Sequence, residues 1–153
     1  MAVADSDLIK LYSGRILDLA ASIPHVGRLP APQGSARRRS PLCGSTVTVD
    51  VVLDEAGRVA DFAQEVKACA LGQAAAAVAG GALPGRSLPE IEAARDGLRA
   101  MLKDGGPVPA APWGGFEVLL PARDYRNRHA SILLALEAAA EAVAAAEAAR
   151  ASA

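Results

Sequence analysis

The residues in this sequence best suited to metal chemistry are two cysteines and a histidine. Cys43 comes just before one strand-like run, and Cys69 lies where a second such run gives way to a helix-like one. His129 lies at the start of the last helix-like run. Thiolates and imidazoles bind iron and zinc well. Three candidate ligands at the ends of three elements predict one shared metal site.

The same residues have a plainer interpretation. Cys43 and Cys69 are far apart in the sequence and form no Cys-x-x-Cys pair, so the spacing alone favours two inert, buried thiols and a surface histidine. Ser45 and Ser131, taken with His129, lack the nucleophile-elbow context of a hydrolase. The basic run Arg37–Arg39 is either a solvated edge or a docking surface for an acidic partner protein.

Hydrophobic periodicity predicts the elements that would position these residues. It indicates helices over Asp5–Ala21, Cys69–Gly80, Ser87–Lys103 and Tyr125–Arg150, and a hairpin of strands over 46–53 and 58–66. Asp5 or Ser6 can cap the first helix, and the third begins with a capping box. The inward face of the first strand should hold Val47, Val49, Val51 and Leu53.

The remaining segments lack a regular pattern. Alternation over residues 36–40 is too weak to indicate a strand, and glycine and proline predict a loop over 104–115. Trp113 should pack this loop against the core, although a contact role is the alternative. Residues 116–120 read as a short apolar link. The alanine-rich end of the last helix should fray, since chain termini are seldom held.

Length and charge restrict the class of protein. With 153 residues the chain suits a single domain over 1–153. Its net charge of −1 gives no reason to expect nucleic acid or an anionic membrane as a partner. Neither a signal peptide nor a membrane span is visible, so we expect a cytoplasmic protein with free thiols.

Several short motifs occur in the order typical of one known family. They are Leu11-Tyr12, Pro24-His25-Val26-Gly27, Cys43-Gly44-Ser45, Gly57-Arg58-Val59-Ala60-Asp61, Phe62 to Ala75, Gly85-Arg86-Ser87-Leu88 and Arg128-His129-Ala130-Ser131-Ile132-Leu133. Together they resemble the iron–sulfur cluster assembly scaffolds of the IscU/SufU/NifU type. The resemblance implies an α+β fold in which helices cover one face of a small antiparallel sheet. It also implies that Cys43, Cys69 and His129 meet at one end.

The sequence departs from the family in the site itself. Ser45 stands where the family has an aspartate, and Ala130 stands where it has a third cysteine. A register shifted by one residue would instead place His129 on that cysteine. In either register two thiols and one imidazole remain. Two carboxylates could act as local substitutes, Asp124 and Glu65.

The resemblance implies a non-enzymatic scaffold or carrier for nascent iron–sulfur clusters. Its partners would be a cysteine desulfurase and recipient apo-proteins. One alternative is a zinc-dependent sulfur acceptor, a SufU-like sulfurtransferase, although the missing third cysteine argues against that enzyme. Another is a degenerate member that binds no metal and serves as a protein-binding module through Arg37–Arg39.

Overall fold

A computed structural model describes residues 13–41 and 44–152 of the chain. The elements in these ranges are α1 (Gly14–Ala21), β1 (Gly34–Arg39), β2 (Thr46–Leu53), β3 (Val59–Lys67), α2 (Ala70–Ala82), α3 (Leu88–Lys103), a 3-10 helix (Gly114–Asp124) and α4 (Arg126–Ala151). In this part of the chain, no helix is both long and apolar enough to cross a membrane.

The sheet is antiparallel, with strand order β1-β2-β3. The predicted hairpin of β2 and β3 is confirmed, and its turn places Gly57 at a φ of 81°. Within the turn, the Asp54 carboxylate accepts hydrogen bonds from the backbone N–H groups of Ala56 and Arg58. The four predicted inward residues of β2 are all buried, which confirms the face that this strand turns to the core.

Helices cover one face of this sheet, as predicted for the α+β class. Helix α4 packs across β1 and β2, while α2 and α3 pack on α4. The approach of β1 to α4 needs a glycine, because a Cβ at Gly34 would overlap the Ala142 carbonyl oxygen and the Ala146 nitrogen. Alanines on α4 bring the helix close to the strands, and burial continues as far as Ala146. Fraying of the last turn stays a prediction.

The other predicted helices are confirmed, with small changes at their ends. Helix α3 has the predicted capping box of Ser87 and Glu90. Helix α2 continues through the two glycines that were expected to end it and stops at Ala82. The Trp113 side chain is only 5% exposed, which supports its packing role.

Three expectations were wrong. Strand β1 was missed, because its sequence GSARRR has no β-branched residue and only Gly34 and Ala36 are buried. Pairing with β2 and packing on α4 hold it extended instead. The first helix was expected to run unbroken from Asp5, but α1 begins at Gly14, capped by the Ser13 hydroxyl. The predicted caps Asp5 and Ser6 lie outside the described residues. The link at 116–120 is part of a 3-10 helix.

Candidate metal centre

Cys69 lies at the junction of sheet and helix that the sequence predicted. It follows the end of β3 at Lys67 and occupies the N-cap position of α2, with φ −65° and ψ 168°. Its thiol is free and its side chain is half-buried. The sulfur lies 3.6 Å from the Ser131 hydroxyl oxygen on α4. The thiol is therefore held against α4 at one end of the sheet.

Described residues on either side of positions 42 and 43 are joined by hydrogen bonds. The Ser40 N–H donates to the Ser45 carbonyl oxygen at 2.8 Å, and the Gly44 N–H donates to the Ser40 carbonyl oxygen at 3.0 Å. Ser45 is buried, and its hydroxyl accepts a hydrogen bond from the Ser131 hydroxyl at 3.2 Å. Cys43 itself lies outside the described residues, so its meeting with Cys69 stays a prediction.

His129 is buried on the first turn of α4 and is only 2% exposed. Its Nε2 lies 2.9 Å from the Ala122 carbonyl oxygen and 3.1 Å from that of Arg123. Carbonyl oxygens only accept, so Nε2 carries a hydrogen, and in the neutral ring Nδ1 is the nitrogen left with a lone pair. A metal-binding histidine commonly donates its other ring N–H to a carbonyl in this way. Ligation by His129 would therefore use Nδ1.

His129 faces a different side of α4 from the residue that contacts the Cys69 sulfur. Ser131, which contacts the Cys69 sulfur, is two residues further along α4, and two residues turn a helix by about 200°. His129 instead lines an open cleft of about 560 Å³, together with Lys103, Arg126 and other residues. No contact joins the two described candidates, so a site that includes both stays a prediction.

The possible substitute carboxylates lie apart from the thiol. Asp124 lines the same cleft as His129, whereas Glu65 is exposed on β3 and lies 3.8 Å from Arg28. Within residues 13–41 and 44–152, no three side chains of histidine, cysteine, aspartate or glutamate are grouped as a metal site. The described residues thus supply one thiol and two neighbouring hydroxyls.

Sequence reasoning missed a second polar cluster, on the outer face of the sheet. The Asp50 carboxylate is fully buried there and accepts from Arg28 at 2.7 and 3.0 Å, from Ser35 at 2.6 Å and from the Leu29 N–H at 3.0 Å. The Arg28 hydrogen bond is the main reason that the pKa of Asp50 is lowered. An acidic residue in the middle of a valine-rich strand was the signal available.

The arginines of β1 do not form one uniform patch. Arg38 makes ion pairs with Glu137 and Glu141 on α4, at 4.0 and 3.4 Å. Arg37 and Arg39 are exposed and form no ion pair with any described residue. The solvated edge and the docking surface therefore both stay open.

The antiparallel sheet with helices on one face and a free thiol at its end define a small α+β domain. Residues 11–112 match the family of NifU-like N-terminal domains, and the chain belongs to that family. A comparison with curated proteins found no significant match.

Solved structures agree with this assignment. The N-terminal part of a nitrogen-fixing NifU-like protein from Brucella abortus is 42% identical, with a TM-score of 0.88, and the match covers 92% of this chain and 97% of that one. The FiSufU protein of the thermophilic Fervidobacterium islandicum AW-1 is 20% identical, with a TM-score of 0.77, and the match covers 88% and 98%. At that identity the second match shows the fold alone.

Proposed function

We propose that this chain is a scaffold or carrier for nascent iron–sulfur clusters, which it holds as cargo through Cys43 and Cys69. The observation that supports this most is the placement of the Cys69 thiol. It is half-buried at a helix start, beside the hydroxyls of Ser131 and Ser45, in a member of the NifU-like family. Thiolates are the usual ligands of iron–sulfur clusters.

Incomplete ligation suits a carrier. Two thiolates leave coordination positions to be filled from elsewhere, so a cluster would be held less firmly than by four cysteines. His129 is the proposed third ligand, through Nδ1. A cysteine desulfurase that supplies sulfur and apo-proteins that receive the cluster are the partners such a carrier needs. Sulfur transfer by a zinc-bound cysteine is the alternative, but no feature of the described residues favours zinc over iron.

The test is anaerobic purification and reconstitution, followed by measurement of iron, sulfide and zinc and of the visible spectrum. We expect iron and sulfide in the wild-type protein, with a charge-transfer absorption that Cys43→Ser and Cys69→Ser each reduce at least tenfold. For the histidine, His129→Gln keeps a donor for the two carbonyls but removes Nδ1. We expect this variant to lose at least half of the iron. His25→Gln is the matched control.

Two results would contradict the proposal. One is an unchanged cluster content in both cysteine variants. The other is stoichiometric zinc without sulfide, together with stimulation of a cysteine desulfurase beyond that given by an ordinary thiol. That pair of findings would favour the sulfur-acceptor function. Full cluster content in His129→Gln would remove only the histidine from the ligand set.

A further inference from the structure

A short chain of buried hydroxyl groups ends at the Cys69 sulfur. The Ser131 hydroxyl lies 3.6 Å from the sulfur and 3.2 Å from the Ser45 hydroxyl, and the two serines are 1% and 5% exposed. We propose that Ser131, anchored by Ser45, is a positioning residue that hydrogen-bonds the Cys69 sulfur in both its free and its metal-bound form. The part that concerns the bound form rests on the proposed function.

Packing fixes the position of the Ser131 hydroxyl. A Cβ at Gly72 would lie only 2.5 Å from the Ser131 oxygen and 2.8 Å from the Ala68 Cβ. The first turn of α2 can therefore approach α4 closely because residue 72 has no side chain. The serine oxygen fills the space that a side chain at position 72 would need, so it has little freedom to leave the sulfur.

The metal-free and metal-bound forms of Cys69 need different hydrogen-bond directions from Ser131. A serine hydroxyl has a single proton, and that of Ser131 is donated to Ser45. Either atom of the Cys69–Ser131 contact can donate, and while the Ser131 proton is on Ser45 the thiol S–H donates to the Ser131 oxygen. A metal-bound thiolate has no proton, so it would need Ser131 to donate to sulfur instead.

Ser45 makes this reversal feasible. When Ser131 turns its proton to the sulfur, its oxygen can accept a proton from the Ser45 hydroxyl, because a hydroxyl both donates and accepts. An ionised aspartate at position 45 could only accept. The serine that replaces the family's aspartate thus acquires a role of its own, as the second member of a reversible pair.

The first test uses the metal-free protein and needs no cluster. In a Cys43→Ser background Cys69 is the single thiol, and Raman spectroscopy records its S–H stretching band. We expect Ser131→Ala to move this band to higher frequency, because the thiol loses its acceptor. Ser45→Ala should move it by a smaller amount, and it serves as the second variant if Ser131→Ala does not fold. Ser22→Ala, at an exposed position, is the control.

The second test uses the reconstituted protein with both cysteines. Hydrogen bonds to ligating sulfur raise the reduction potential of a cluster. We expect Ser131→Ala to shift the potential to a more negative value at equal iron content. An unchanged S–H band in Ser131→Ala overturns the inference. A lower thermal midpoint with unchanged band and potential would mean that Ser131 has only a structural role. Absence of iron from the wild-type protein would refute the proposed function, while the Raman result still decides whether Ser131 contacts the sulfur.

Discussion

Two clusters of hydrogen-bonded polar side chains lie in different places on the sheet, and they differ in the group at which their hydrogen bonds end. On the outer face, the Asp50 carboxylate is surrounded by donors from Arg28, Ser35 and Leu29 and is fully buried. At the sheet end, the hydroxyls of Ser45 and Ser131 lead to a half-buried thiol.

The Asp50 cluster joins parts of the fold, whereas the hydroxyls of Ser45 and Ser131 contact a thiol. The Asp50 cluster ties residues 28 and 29, which precede β1, to the middle of β2. Four hydrogen bonds to one carboxylate leave it little capacity to bind anything else. The chain of hydroxyls is neutral, and it ends at a free thiol on a half-buried residue. We therefore expect the first cluster to control stability and the second to control the behaviour of the sulfur.

Replacement of Asp50 should have the largest effect on stability. In Asp50→Ala the Leu29 N–H and the Ser35 hydroxyl lose their acceptor, and the Arg28 ion pair is lost. Four hydrogen bonds to a buried carboxylate are lost together, so we expect a loss of about 2–4 kcal/mol in the free energy of unfolding. Urea denaturation measures the loss, and iron content per folded molecule should be unchanged after reconstitution.

Asp61→Ala is the matched control, because this carboxylate is exposed on β3 and forms no ion pair with a described residue. It should change the free energy of unfolding by less than about 0.5 kcal/mol. The distinction between the two clusters would fail if Asp50→Ala kept full stability but lost its iron.

Gly72→Ala should have the next largest effect, and it should affect both stability and the sulfur. The new methyl group would press on the Ser131 oxygen and on Ala68, and overpacking of this kind costs about 1–3 kcal/mol. Because Ser131 must move, we expect the Cys69 S–H band to shift in the same variant. Denaturant unfolding and Raman spectroscopy on one sample measure the two effects together.

The same helix supplies the control. Gly81 is exposed, and a Cβ there would meet nothing within 4 Å. Gly81→Ala should leave the S–H band unchanged and should stabilise the protein by up to about 1 kcal/mol, because alanine is the better helix former. A Gly72→Ala protein with wild-type stability and an unshifted band would show that the contact of α2 with Ser131 is not tight.

Much of the fold could be predicted because local pattern and burial agree. In β2, alternate residues face the core, and in α3 the capping box and the apolar stripe define the helix. Strand β1 could not be predicted, since its three arginines carry no strand signal and its conformation depends on β2 and α4. The start of α1 at Gly14 was missed for a similar reason: the apolar spacing continues across Ser13, and a sequence pattern does not show the capping hydrogen bond.

The candidate site was predictable only in part. The position of Cys69 at a helix start followed from the change of periodicity. The orientation of the first turn of α4 could not be predicted from the sequence. Residues 129 and 131 face different sides of the helix, and only the three-dimensional packing shows which of them faces the thiol. Ser131 was part of a family motif, but the motif does not show its contact with sulfur. That contact involves the close approach of Gly72, which is 59 positions earlier in the sequence.

Glu90 offers a partly exposed counterpart to the buried Asp50. In the capping box of α3 its carboxylate accepts from the Ser87 N–H at 3.2 Å and from Arg58 at 2.7 Å. The Ser87 backbone hydrogen bond is the main reason that the pKa of Glu90 falls from 4.5 to about 2, and the Arg58 contact adds to it. Asp50 and Glu90 thus both accept hydrogen bonds from an arginine and from a backbone N–H, but at different degrees of burial.

We expect the smallest effect from Glu90→Gln, and we expect it to depend on pH. A carboxyl whose pKa is lower in the folded state stabilises the protein above its unfolded pKa, here near 4.5, and this stabilisation is lost as the pH falls toward about 2. The wild-type thermal midpoint should therefore exceed that of Glu90→Gln at neutral pH, and the difference should shrink between pH 4.5 and 2. Glu92→Gln, on the same helix, is the control, and its difference from wild type should stay smaller throughout. A constant difference for Glu90→Gln across this range would mean that the neutral carboxyl caps the helix as well as the ionised one.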